Sequence, residues 1–412
     1  MNTRREFIVQ VGTTAMGAAL IPASMARALA QGAAPVAGGA KPDAKPGAGA
    51  APSGKRSLLI LGGTGFLGPQ VVRHARDRGY EVTLFNRGKT APDLFPEVEH
   101  IEGDRYSDLD GLKKAVADGR KWDCVVDTFT YVPKTVTDAM DILLPAMGQF
   151  IVVSTISVYA SNDEPNANED AKLAEVADDI AAGIDTHEKV GQHYGAMKAR
   201  VEKAAMERFP GKVTIIRPGL IVGPRDTTGR YSYWPVRGSE GGRMIAPGTG
   251  DDFIQIVDVR DLGEFTVHCA EVPHFGVFNA VNPAGTRTIR DVVDAAVRSG
   301  GDKAQPVWIS EEFLKQNGVS AWQHMPAWVP KSADGYAGIG QTNTDRAVKA
   351  GLKTRDLADV NAAILEYYRV RGAEIEAEKG AEFAAQWRRR IRGGLAPEKE
   401  KEVLTAWDSR DG

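Results

Sequence analysis

Two cysteines in 412 residues, Cys124 and Cys269, are too few for a disulfide framework. Cys124 stands in the apolar run Trp122 to Val126 and reads as a small buried hydrophobe. CxxC and HExxH spacings are missing, so no metal site is expected. Charge of one dominant sign is missing as well: 51 Lys and Arg face 54 Asp and Glu. Without a basic excess, neither nucleic acid nor an anionic membrane is an expected partner. Long apolar runs are also scarce. The stretch near the N-terminus is interrupted by Gln10, Gly12, Thr13, Thr14 and Gly17, too short and too weakly apolar for a membrane span.

That N-terminal stretch has a different use. Arg4 and Arg5 precede Phe7-Ile8, a Gly- and Ala-rich segment runs to Ala23, and small residues lead to a cleavage point after Ala28-Leu29-Ala30. This layout predicts a twin-arginine-type export signal over 1–30, with the twin-arginine machinery as partner and a periplasmic location. Residues 31–54 are almost all Ala, Gly, Pro, Lys and Asp, a flexible linker with too little apolar surface to fold. The folded part is expected from Lys55, as a nucleotide-binding domain over 55–217 and a second lobe with C-terminal helices over 218–412.

Strand and helix patterns alternate in the first of these. Strands are predicted at 57–61, 81–85, 98–101, 123–127, 149–153 and 213–216. Helices are predicted at 66–78, 108–117, 135–144 and 191–208. Such alternation predicts an α/β fold, a Rossmann-type doubly wound parallel sheet with a smaller C-terminal substrate-binding lobe. Elements of the same sheet are expected to recur near 253–280. The last helix, around 397–407, reads as a surface helix or a contact within a homo-oligomer.

Three constellations carry chemistry. Gly62-Gly63-Thr64-Gly65-Phe66-Leu67-Gly68 follows the first strand and opens a helix. Gly62 suits the tight turn, Gly65 a close approach of pyrophosphate, and Gly68 the packing of helix on sheet. At the end of the second strand stands Asn86-Arg87 where an acidic residue would hold the ribose of NAD. A guanidinium there clamps a 2′-phosphate, so NADP is expected over NAD. Asp104, after the third strand, is placed to meet the adenine edge.

Tyr194 and Lys198 are four apart on a helix and share a face. A free phenol titrates near 10, and bringing it close to neutrality takes roughly 4 kcal/mol. One ammonium about 4 Å away, at an effective dielectric of about 20, supplies that much. Ser154-Thr155-Ile156-Ser157-Val158-Tyr159 follows a strand, and a hydroxyl at that end of a doubly wound sheet faces the ligand crevice.

These motifs, with Arg217-Pro218-Gly219, Gly223-Pro224 and Val257-Asp258-Val259-Arg260-Asp261-Leu262, resemble the short-chain dehydrogenase/reductase superfamily in its extended NAD(P)-dependent epimerase/dehydratase branch. The resemblance covers about residues 57 to 350. It implies that Thr155 holds the substrate oxygen, that Tyr194 is the acid and base, and that Lys198 binds the ribose and tunes Tyr194. Two departures stand out. Asp127-Thr128-Phe129-Thr130-Tyr131 replaces the usual His-Ala-Ala-like segment, and Ile156-Ser157 replaces the Asp-Glu pair of the dehydratases.

The expected activity is hydride transfer at a hydroxyl-bearing carbon of a sugar-like substrate, with a cofactor that stays bound. Two alternatives stay open: an NADP-dependent carbonyl reductase, and a non-catalytic Rossmann protein such as those relatives that bind RNA. Arg225, Asp226, Arg230, Tyr231, Tyr233, Trp234 and Arg237 lie where the resembled branch binds its substrate, and arginines and aromatics suit a sugar or an anion; the alternative is a packed loop with solvated arginines.

Overall fold

The computed structural model describes residues 55–410, so the expected leader and linker lie outside the described residues. Seven parallel strands form the central sheet: β1 (Ser57–Leu61), β2 (Glu81–Asn86), β3 (Glu99–Glu102), β4 (Cys124–Asp127), β5 (Phe150–Val153), β6 (Val213–Pro218) and β10 (Gly276–Ala280). Their order is β10-β6-β5-β4-β1-β2-β3. The order reverses between β1 and β4, which puts a crevice at the C-terminal ends of those two strands.

Strand β1 shows why the sheet is buried on both sides. Leu58 and Ile60 pack with Val71, Val72 and Ala75 of the helix Gly68–Asp77 and with Leu262 and Phe265 of the helix Val259–Glu271. Leu59 and Leu61 point the opposite way, to Val136, Met140, Val201 and Ala205 on the helices Pro133–Leu143 and Tyr194–Arg208. An unbroken apolar strand is what two covered faces demand.

The second lobe has its own core. It contains the pairs β7 (Leu220–Val222) with β9 (Ile256–Asp258), and β8 (Gly242–Pro247) with β11 (Ala304–Ile309). Helices Tyr233–Glu240, Ile289–Ser299 and Leu357–Lys379 pack around them. The chain returns to the main sheet near residue 280, where β10 pairs with β6. The segment after β5 is folded too. Asn162 and Ala167 accept hydrogen bonds from Gly338 and Asn343, at 2.8 and 2.9 Å.

The last helix, Pro397–Asp408, docks on its own chain. Its Glu400 accepts from Arg237 Nε at 2.6 Å and from the Ile245 amide at 3.0 Å, and Val403 and Leu404 are buried. Among the described residues no helix is long and apolar enough to cross a membrane, and no three metal-ligating side chains gather.

Candidate active site

The site is built from loops at the C-terminal ends of the strands. After β1 the chain turns through Gly62 and Gly63, whose φ angles of 118° and 98° favour glycine. A Cβ on Gly68 would stand 2.5 Å from the Gly63 Cα, so the helix can start here only without a side chain. Gly65 is the exposed residue of the loop, and a Cβ built on it would meet nothing within 4 Å. An open glycine at the head of a helix, over the sheet's crevice, is a cradle that fits a dinucleotide pyrophosphate. Thr64 and Leu67 are buried and Phe66 is half-buried against the core, so Phe66 and Leu67 contribute backbone to this cradle.

Asn86 braces the loop. Its amide donates to the Gly62 carbonyl at 2.8 Å and accepts from the Gly88 amide at 2.9 Å, so its side chain is spent inside the protein. Arg87 is left half-exposed, 3.9 Å from the Asp104 carboxylate, which also accepts from the Tyr106 amide at 2.8 Å.

Thr155 and Tyr194 come together across the end of β5. Thr155 caps the short 3₁₀ turn Ile156–Val158, accepting from the Ser157 amide at 3.1 Å. Tyr194 begins its helix directly over that turn. A Cβ on Gly195 would lie 2.0 Å from the Ser157 carbonyl oxygen, so a side chain there would lift the phenol away. Burial, with Tyr131 beside it, pushes the Tyr194 phenol above its ordinary range, while the Thr155 hydroxyl and Arg230 act the other way.

Lys198 departs from the expectation. Its ammonium donates to Thr130 Oγ1 and to the Val153 carbonyl, the latter at 2.7 Å, and makes no bond to Tyr194. A buried ammonium requires acceptors. The ends of β4 and β5 supply them through residues distant in sequence. Burial lowers this ammonium to about 7, with Glu202 and Asp127 opposing the shift.

The segment after β4 was seen in the sequence as a departure, without a role. In the structure Asp127 accepts two bonds from Arg105, at 2.9 and 2.7 Å, with both side chains buried. Thr128 donates to the Leu61 carbonyl at 3.0 Å, and Thr130 joins Lys198 to Val153. Phe129 and Tyr131 pack with Tyr106, His187 and Tyr194 into an aromatic wall. Tyr106 accepts from the His187 amide at 2.8 Å and holds this wall together. Two aromatics, Phe129 and Tyr131, within four residues of the end of β4 were the signal available for it.

In the loop after β7 four residues follow the packed-loop alternative rather than the substrate one. Tyr231, Tyr233 and Trp234 are fully buried, and Tyr231 and Trp234 donate to Asn361 and to the Pro326 carbonyl at 3.0 and 2.8 Å. Arg237 is paired with Glu400. These four hold the second lobe together. Asp226 is buried and accepts from Thr228. Arg225 is half-buried at φ 75°, and Arg230 is half-buried beside the phenols.

Residues 58–281 match the family model for the NAD dependent epimerase/dehydratase family, just over half of the chain. Chloroplast stem-loop binding protein of 41 kDa b from Arabidopsis thaliana is 27% identical over 51% of this chain, which spans about half of that protein (54%). dTDP-4-dehydro-6-deoxy-D-allose reductase from Streptomyces bikiniensis is 24% identical over 57% of this chain and 77% of its own. UDP-glucuronic acid 4-epimerase from Bacillus cereus, solved with NAD, superposes with a TM-score of 0.53 at 16% identity, covering 80% of this chain and 99% of that one.

Proposed function

The chain belongs to the NAD dependent epimerase/dehydratase family, and from that premise we propose that it is an enzyme working at a hydroxyl-bearing carbon of a sugar-like substrate. The observation that carries this is the convergence of Thr155 and Tyr194 over the end of β5, made possible by Gly195. The bound dinucleotide supplies reversible two-electron chemistry at that carbon. Tyr194 exchanges the hydroxyl proton and Thr155 holds the same oxygen. Lys198 uses two of its three N–H donors within the protein, leaving one for a ribose hydroxyl.

We assign Arg87 to a 2′-phosphate, and hence NADP over NAD, because its guanidinium is half-exposed at the end of β2. Wild-type protein should take up NADP in preference to NAD, and Arg87→Ala should erase the difference. Uptake of NAD at least as tight in the wild type would refute that assignment. The leader suggests export in the folded state with the cofactor already aboard.

The test is turnover of a panel of nucleotide sugars, followed by product NMR and by the near-ultraviolet absorbance of reduced nicotinamide. Tyr194→Phe should retain nucleotide and lose turnover; undiminished turnover would sink the proposal. The similarity to a reductase favours a second reading. It would show as net consumption of reduced cofactor when carbonyl substrates are added. A stem-loop-binding reading, prompted by the plant relative's name, would leave binding intact in Tyr194→Phe and Lys198→Ala. The near balance of charge on this chain argues against it.

A further inference from the structure

Thr130 lies in the segment after β4 that stood out as a departure, and it is 1% exposed. Its hydroxyl has one proton, which goes to the Val153 carbonyl at 2.7 Å. Toward the Lys198 ammonium, itself buried, Oγ1 can therefore only accept. Lys198 donates to the same Val153 carbonyl at 2.7 Å. Two acceptors in fixed places take two of the directions around the tetrahedral Nζ, and the bond to Cε takes a third. The last direction is then set as well, whether it carries an N–H in the ammonium or the lone pair in the amine.

The charged groups that face Nζ are committed elsewhere. Glu202, one turn further along the same helix, pairs with Arg217 and accepts from Ser154. Asp127, at the end of β4, pairs with Arg105. The Tyr131 ring centroid lies 5.8 Å from Nζ, and among the described residues no hydrogen bond joins Lys198 to Tyr194. The backbone around Thr130 is held too. Thr128 donates to the Leu61 carbonyl at 3.0 Å, the Phe129 amide to Asp127 Oδ1 at 3.0 Å, and Thr135 to the Val132 carbonyl at 2.9 Å. Thr130 is the side chain through which this pinned loop grips the end of the lysine.

We infer that Thr130 is a positioning residue: as a fixed acceptor it sets the direction of the one valence that Lys198 has left for the dinucleotide. This rests on the roles given to Lys198 and Tyr194 above. The test compares wild type with Thr130→Val, which removes the acceptor, and Thr130→Ser, which keeps it. NMR of 13Cε-labelled lysines in the cofactor-free full chain follows the titration that burial brings to about 7, with Lys198→Met assigning the signal. An acceptor favours the charged form, so Thr130→Val should lower that midpoint by about one pH unit and Thr130→Ser should restore it. Calorimetric titration with NADP and with NAD should show about tenfold weaker binding in Thr130→Val, recovered in Thr130→Ser. Where Thr130→Val does not fold, Thr130→Cys, with its weaker acceptor, is read in its place. Either an unchanged midpoint or an unchanged dinucleotide affinity in the acceptor-deficient variant would overturn the inference. So would a Thr130→Ser protein as impaired as Thr130→Val, or a loss of thermal stability in both with the lysine titration unmoved. Failure of the Tyr194 reading is separable, because Tyr194→Phe would then keep turnover while the Lys198 titration still followed Thr130.

Discussion

The Lys198 ammonium sits 2.7 Å from the Val153 carbonyl oxygen, at the end of β5. Thr130 donates to the same carbonyl at 2.7 Å and accepts from Lys198, closing a small ring of hydrogen bonds under the site.

Because burial brings that ammonium to about 7, its protonation makes stability depend on pH. In the unfolded chain a lysine holds its proton to above pH 10. Between about pH 7 and 10 the unfolded state therefore carries the extra proton, and stability rises with pH across that window. Urea unfolding of cofactor-free wild type and Lys198→Met should show wild type gaining on the variant as pH rises from 7 to 10. A flat difference would mean that the folded ammonium stays charged throughout.

Gly195→Ala should damage the site more than the fold. Its Cβ would stand 2.0 Å from the Ser157 carbonyl oxygen, so the helix Tyr194–Arg208 must shift off the turn that carries Thr155. Overpacking of this kind costs about 1–3 kcal/mol. Turnover should fall well beyond what the lost stability explains, measured at a temperature where the variant is fully folded. Gly183→Ala serves as control. Its nearest non-neighbour is the Ile180 carbonyl oxygen at 3.5 Å, and activity there should stay at the wild-type level.

Glu202 and Arg217 form a buried pair, 2% exposed or less, tied further to Ser154 and Tyr159. Removing one partner leaves a buried charge unmatched, so Glu202→Leu or Arg217→Met alone should cost about 3–5 kcal/mol. The double variant should recover most of that loss. Denaturant midpoints of the four proteins decide the matter, and strict additivity would contradict it.

Export can be tested apart from activity. Residues 1–54 fused to a fluorescent reporter that folds before transport should carry it out of the cytoplasm. Arg4→Lys with Arg5→Lys should hold it inside, read by cell fractionation. Equal export of both fusions would dismiss the twin-arginine reading.

The nucleotide-binding half was legible because its signals are local. Apolar strands and the glycine loop at a strand–helix junction are each read from a few neighbouring residues. The structure keeps them in one place. The loop after β7 stays ambiguous in the sequence, between ligand residues and a packed loop, for the opposite reason. Tyr231, Trp234 and Arg237 look like ligand residues in an irregular Gly-rich stretch, yet their partners are Asn361, Pro326 and Glu400. Contacts across 90 to 160 positions leave no periodic trace. The same holds for Lys198, whose acceptors Thr130 and Val153 lie after β4 and at the end of β5, and for Arg105 with Asp127.

The meeting of Gly229 with Gly393 bears on how this scaffold can be re-engineered. The family match ends at residue 281, which invites the later helices to be treated as an interchangeable appendage. They are the outer jaw of a clamp that closes on the loop in front of the phenols. A chimera that took its first 281 residues from this chain and its tail from a relative would keep the loop at Gly229 but lose the Gly393 and Arg390 backbone it packs against. Transplanting specificity between such enzymes would therefore require moving both jaws together.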